Sequence, residues 1–121
     1  MKSITLFFLL LVMLTHVNQV YAHAVVTKSS LSISPVLAGQ ESLVELIFNA
    51  KVELNLSQVL LVSAGDKKQT LNTEAGEKPG HIVIKLPALS SGEYALQLII
   101  FAADGHLSED LIRFTVTDEN R

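Results

Sequence analysis

Three residues of this sequence have the types and spacing for metal chemistry: His23, Asp104 and His106. Asp104 and His106 stand two apart in FAADGHLS, residues 101–108. In an extended segment that spacing puts both side chains on one face. Gly105 between them lets the backbone tighten, so that the two heads can converge on one point. An imidazole beside a carboxylate is an ordinary donor pair for a divalent transition metal. His23 lies in VYAHAVV, residues 20–26. If the chain is cut after Ala22, His23 becomes the first residue, with a free α-amine of unperturbed pKa about 8 that a metal can deprotonate. That amine and the same residue's Nδ1 close a six-membered chelate ring. With Asp104 and His106 the set is three nitrogens and one oxygen, a tetragonal array suited to one Cu(II) per chain. Zn(II) accepts the same donors but prefers a tetrahedron.

Each residue also has a plainer reading. A terminal histidine is commonly solvated, and Asp-Gly is a frequent turn dipeptide. His81 follows Gly80 at the start of an alternating run and reads as a half-exposed surface residue. Glu109-Asp110 reads as a solvated edge that adds negative potential. The coincidence of His23 with Asp104-Gly105-His106 is what favours a metal.

The chain start must produce that histidine. Lys2 is followed by an apolar run, Ile4 to Leu14, broken only by Thr5, and Val20-Tyr21-Ala22 suits a signal-peptidase site. The run is well short of the roughly 20 residues a spanning helix needs. Residues 1–22 are therefore expected to be a cleaved secretory signal, and residues 23–121 one exported, periplasmic domain. Without Lys2 the domain carries eight basic and twelve acidic residues, a formal charge of −4, which argues against nucleic acid as a partner. There is no cysteine, which removes disulfides, thiol nucleophiles and blue-copper electron transfer. The two methionines, Met1 and Met13, fall in the signal, so nitrogen and oxygen are the donors left. No Ser-His-Asp arrangement with a nucleophile elbow is present, and the chain is not expected to be an enzyme.

The elements that would position these residues read as strands. Ala24 to Lys28 is extended, and Ser29 to Gln40 is loop-like around Pro35 and Gly39. Ser42 to Phe48 and Gln58 to Ser63 are core strands. Ala64-Gly65-Asp66 turns the chain into Lys67 to Leu71, a hairpin. Thr73 to Gly80 is a polar loop, and His81 to Leu86 alternates with Ile82, Ile84 and Leu86 on one face. PALSSG, residues 87–92, is a turn. Glu93 to Ala103 is a long strand with Tyr94, Leu96, Leu98 and Ile100 on one side, and Asp110 to Val116 is the last strand. A turn near Asn55 to Gln58 is the one weak helical candidate. This pattern predicts an all-β fold, an antiparallel β-sandwich.

The chain resembles the CopC family of bacterial periplasmic copper-binding proteins in HAVVTKSS, FNAKVEL (Phe48 to Leu54), VLLVSAGDKK, SGEYALQL, AADGH and FTV (Phe114 to Val116). The resemblance implies a Greek-key sandwich or barrel, cupredoxin-like or immunoglobulin-like, and a role in copper resistance, transport or delivery. It implies a Cu(II) site on His23, Asp104 and His106, with Glu53 as a nearby acidic residue. It also implies an inner-membrane CopD-like copper transporter as partner, and the protein is expected to be a monomer. The chain departs from the family in lacking a methionine-rich segment, in the late Pro35, and in having LSEDLIR after DGH where a glycine-containing stretch is usual. Two rival readings are a metal-free immunoglobulin-like adhesion domain and an N-terminal-histidine copper monooxygenase. The lack of Trp and the carboxylate of Asp104 count against the second.

Overall fold

Alternating apolar residues dictate two facing sheets, and the computed structural model, which describes residues 24–118, has them. The strands are β1 (Val26–Ser29), β2 (Val36–Leu37), β3 (Ser42–Phe48), β4 (Gln58–Ser63), β5 (Lys67–Thr70), β6 (Asn72–Ala75), β7 (His81–Leu86), β8 (Gly92–Phe101) and β9 (Leu107–Thr117). One sheet has the order β1-β3-β7-β6, the other β2-β9-β8-β4-β5. The expected signal over residues 1–22 and His23 itself lie outside the described residues.

The inward face of each strand supplies the core. Val44, Leu46 and Phe48 of β3 meet Ile82, Ile84 and Leu86 of β7 on one side. Val59 and Leu61 of β4, Leu96, Leu98 and Ile100 of β8, and Phe114 and Val116 of β9 form the other. Leu46, Ile84, Leu96 and Leu98 are fully shielded, and burying each such side chain stabilises the fold by about 2 kcal/mol. Tyr94 stacks on Phe114, ring centroids 5.8 Å apart. Its hydroxyl donates to the Ser90 carbonyl at 2.8 Å, pinning the turn before β8 as the tyrosine corner of immunoglobulin-type sandwiches does.

The expected strands at Ser42–Phe48, Gln58–Ser63 and His81–Leu86 have those bounds. Other segments differ for physical reasons. The loop-like Ser29 to Gln40 contains a 3₁₀ turn, Ser30–Ser32, capped where Ser29 Oγ accepts from the Leu31 N–H. It also contains the two-residue β2, which pairs in parallel with the end of β9, whereas the other strand pairs are antiparallel. The polar stretch after Leu71 forms β6, an edge strand on β7 whose side chains are largely exposed and therefore carry no apolar alternation. Leu71 is buried between β5 and β6 and its N–H donates to Val59, so the chain changes sheets at that residue. In FNAKVEL the strand stops at Phe48. Val52 alone bridges to Ala102, and Leu54–Leu56 form a second 3₁₀ turn, overlapping the weak helical candidate.

Candidate metal centre

The Asp-Gly-His stretch is the tip of the β8–β9 hairpin. The ladder runs out at Phe101↔Leu107. Beyond it the Ala102 N–H donates to the His106 carbonyl at 2.9 Å, and the Gly105 N–H donates to the Ala102 carbonyl at 2.9 Å. Gly105 has φ of 90°, a left-handed conformation that side chains disfavour. This is the three-residue hairpin of a tight turn closed by a glycine. The turn reading of Asp-Gly therefore holds, and it is also what brings the two heads together.

They converge on each other. Asp104 Oδ1 accepts from the His106 backbone N–H at 3.1 Å, and Oδ2 lies 3.0 Å from His106 Nδ1. The two bonds hold the carboxyl of Asp104 below the ordinary carboxylate range, the backbone N–H contributing most and the imidazole next. Both side chains are 40% or more exposed. Nδ1 is thus the His106 nitrogen turned to Asp104. A carboxylate has about four lone-pair sites, and these two contacts occupy two of them, so Asp104 retains acceptor capacity.

Two other segments brace the tip. The Glu53 N–H donates to Phe101 and the Ala103 N–H to Lys51, at 2.8 and 2.9 Å. Ser57 Oγ accepts from the Phe101 N–H at 3.0 Å and donates to the Glu53 carbonyl at 2.8 Å. Glu53 is thus tied by its backbone to the end of β8, with its side chain exposed. The third segment is the first described part of the chain. Ala24 is buried, and its carbonyl accepts from Ser108 Oγ at 3.1 Å. The Val25 N–H donates to Asn49 Oδ1 at 2.8 Å and the Asn49 N–H returns to the Val25 carbonyl at 3.0 Å. The two segments are 84 residues apart in sequence, and the contact puts the residue after His23 beside the residue two beyond His106. Sequence spacing carried no signal for these contacts.

His81 belongs elsewhere. It opens β7 opposite Ile47, and its Nδ1 lies 3.5 Å from Glu45 Oε1 on the outer face of the four-stranded sheet. Glu109 and Asp110 are exposed on β9, and Asp110 Oδ1 accepts from the Leu111 N–H. Among the described residues no three of His, Asp or Glu form a cluster that could close around a metal, so Asp104 and His106 stand as a pair.

Sheet order and tyrosine corner place the molecule in the class of two-sheet β-sandwiches with one donor-bearing hairpin tip. A family model of the CopC domain matches residues 26–117, and the chain belongs to the CopC family, whose members bind copper. The chain is similar to CopC from Methylosinus trichosporium OB3b, with 25% identity and a TM-score of 0.70 over 82% of this chain and 98% of that one. It is also similar to PcoC, a methionine-rich copper resistance protein from Escherichia coli, with 21% identity and a TM-score of 0.56 over 78% of this chain and 99% of that one. No curated sequence matches the chain.

Proposed function

We propose that residues 1–22 are removed on export and that the domain from His23 binds one Cu(II) in the periplasm, serving copper resistance or delivery. The donors are the His23 α-amine and Nδ1, the carboxylate of Asp104, and the imidazole of His106. One observation carries the reading: the Ala24–Ser108 contact. That contact sets Ala24, the residue after His23 in sequence, at the same end of the sandwich as the Asp-Gly-His tip. Asp104, with its proton held less tightly than usual, offers an anionic oxygen with no proton to displace at neutral pH. The amine and the imidazoles do compete with protons, so affinity falls as the solution is acidified. The role is carriage of the ion rather than catalysis, with a CopD-like inner-membrane transporter as the acceptor or donor.

The test combines intact mass of the exported protein with EPR of its Cu(II) adduct. A chain starting at His23 and an axial spectrum with nitrogen couplings at one copper per chain are expected. A spectrum matching loosely bound copper, or a different first residue, overturns the assignment.

A further inference from the structure

Strand β4 runs beside β8 only as far as the Gln58↔Ile99 pair. Phe101, the last residue of β8 and half-buried, lies two residues beyond that point. On its other flank it pairs with Leu107 of β9. An unpaired peptide group at a half-buried strand end would be destabilising, and one short segment meets both of the groups that face the missing strand. The Phe101 carbonyl accepts from the Glu53 N–H at 2.8 Å, and the Phe101 N–H donates to Ser57 Oγ at 3.0 Å. The Leu54–Leu56 3₁₀ turn fills the interval between the two contacts. A ladder needs extended backbone opposite Phe101. The turn removes it, and a hydroxyl takes the place of the backbone acceptor. The same hydroxyl donates to the Glu53 carbonyl at 2.8 Å. Glu53 is the N-cap of the turn and its side chain makes no capping bond, so the turn is closed on itself by Ser57 instead.

We propose that Ser57 is a positioning residue of the metal centre. Its hydroxyl clamps the Lys51–Glu53 segment to the end of β8, and that segment sets the base of the Asp104–His106 tip. The path runs through contacts of the backbone. Val52 bridges to Ala102, and the Lys51 carbonyl accepts from the Ala103 N–H at 2.9 Å. Asp104 is the next residue, so the clamped segment ends one residue short of the carboxylate. A serine hydroxyl has one proton and two lone pairs, and here the proton and one lone pair are committed to Glu53 and Phe101. Ser57 therefore acts from behind the donor pair, fixing where it stands, as groups that orient metal ligands do. This role rests on the Cu(II) reading of Asp104 and His106.

The test has a metal-free arm and a copper arm. The first is amide hydrogen exchange of the metal-free exported protein. The Phe101, Glu53 and Ala103 amides should be protected in the parent. Ser57→Ala should quicken exchange at Glu53 and Ala103 by about tenfold, the loss of one hydrogen bond. Gly65→Ala, which strains the remote β4–β5 turn, should leave those two amides slow. Ser57 has φ of −102° and ψ of 153°, extended backbone that a β-branched residue accepts. Ser57→Thr therefore keeps the hydroxyl in place and should keep the parent's rates. In the second arm Ser57→Ala should weaken Cu(II) about tenfold and alter its EPR spectrum. Ser57→Thr should restore both, and Gly65→Ala should change neither.

An unprotected Phe101 amide in the parent refutes the clamp without any variant. So does a Ser57→Ala protein whose Glu53 and Ala103 amides exchange as the parent's do. If His106→Ala weakens copper while a folded Ser57→Ala variant keeps the parent's affinity and spectrum, the positioning role falls and the Cu(II) reading stands. If His106→Ala binds copper as the parent does, the Cu(II) reading falls and takes the positioning role with it.

Discussion

Two hairpin tips of this domain are built from the same three residue types. Ala64-Gly65-Asp66 joins β4 to β5, and Ala103-Asp104-Gly105 lies between β8 and β9. Both turn through left-handed backbone, at Gly65 and Asp66 in the first and at Gly105 in the second. Order and neighbours separate them. In the second, glycine comes last, and the aspartate reaches forward to the backbone and ring of His106. In the first, aspartate comes last and Lys67 follows, whose carbonyl contacts Ser63 Oγ at 3.4 Å. The second tip is flanked by Lys51–Glu53 and by the Ala24–Ser108 contact. Turn composition makes a tip; a histidine in the next position and the Ala24 segment alongside make a candidate centre.

The largest effect should come from the start proposed at His23. One residue added before His23 would remove the proposed amine–imidazole chelate. Groups that merely support a ligand cost 10–100-fold in metal affinity when lost, so removing a chelating donor should cost more than about a hundredfold in a competitive Cu(II) titration. Affinity equal to the parent's would show that the amine is not a donor. His106→Ala should follow at about a hundredfold, while Lys67→Ala at the other tip leaves copper binding unchanged. Asp104→Asn is more informative than deletion. The amide keeps an oxygen for the His106 N–H, so the turn survives, but the anionic donor is gone. A loss of about tenfold is expected, with Asp66→Asn as the silent control.

How much of this was legible in the sequence follows from what each segment buries. Strands β3, β4 and β7 were readable to the residue, because their inward side chains alternate against a core. Strand β6 was not, because Asn72–Ala75 contributes backbone to β7 and little side chain to the interior. The last strand starts at Leu107, earlier than the expected Asp110, because its ladder with β8 is held by backbone pairing under a half-buried Ser108 and exposed Glu109 and Asp110 side chains. At the tip, the spacing of Asp104 and His106 announced that the heads would meet. That they meet each other, through Oδ2 and Nδ1, depends on the turn closed by Gly105. The bracing contacts from Ala24, Lys51 and Glu53 depend on tertiary packing across long separations, for which no local pattern exists.

The smaller predictions concern the backbone. Gly105 and Gly65 have φ of 90° and 76°, and a Cβ at either would meet nothing within 4 Å. Replacement by alanine therefore costs only the left-handed conformation, about 1 kcal/mol, or roughly 5 °C in melting temperature for a domain this size. Gly65→Ala and Gly105→Ala should melt alike, yet only Gly105→Ala should weaken Cu(II), because it disturbs the register between Asp104 and His106. Equal copper affinity in both would mean that the tip's shape does not set the donor pair. Smallest of all is Asp66→Gly. Asp66 has φ of 56° and is the one non-glycine residue in left-handed backbone among the described residues. Glycine relieves its strain but adds freedom to the unfolded chain, and the two terms, each of order 1 kcal/mol, oppose each other. The net change in denaturant unfolding should stay within about 0.5 kcal/mol. A larger loss would reveal that the Asp66 side chain holds its tip together, as Asp104 holds the other.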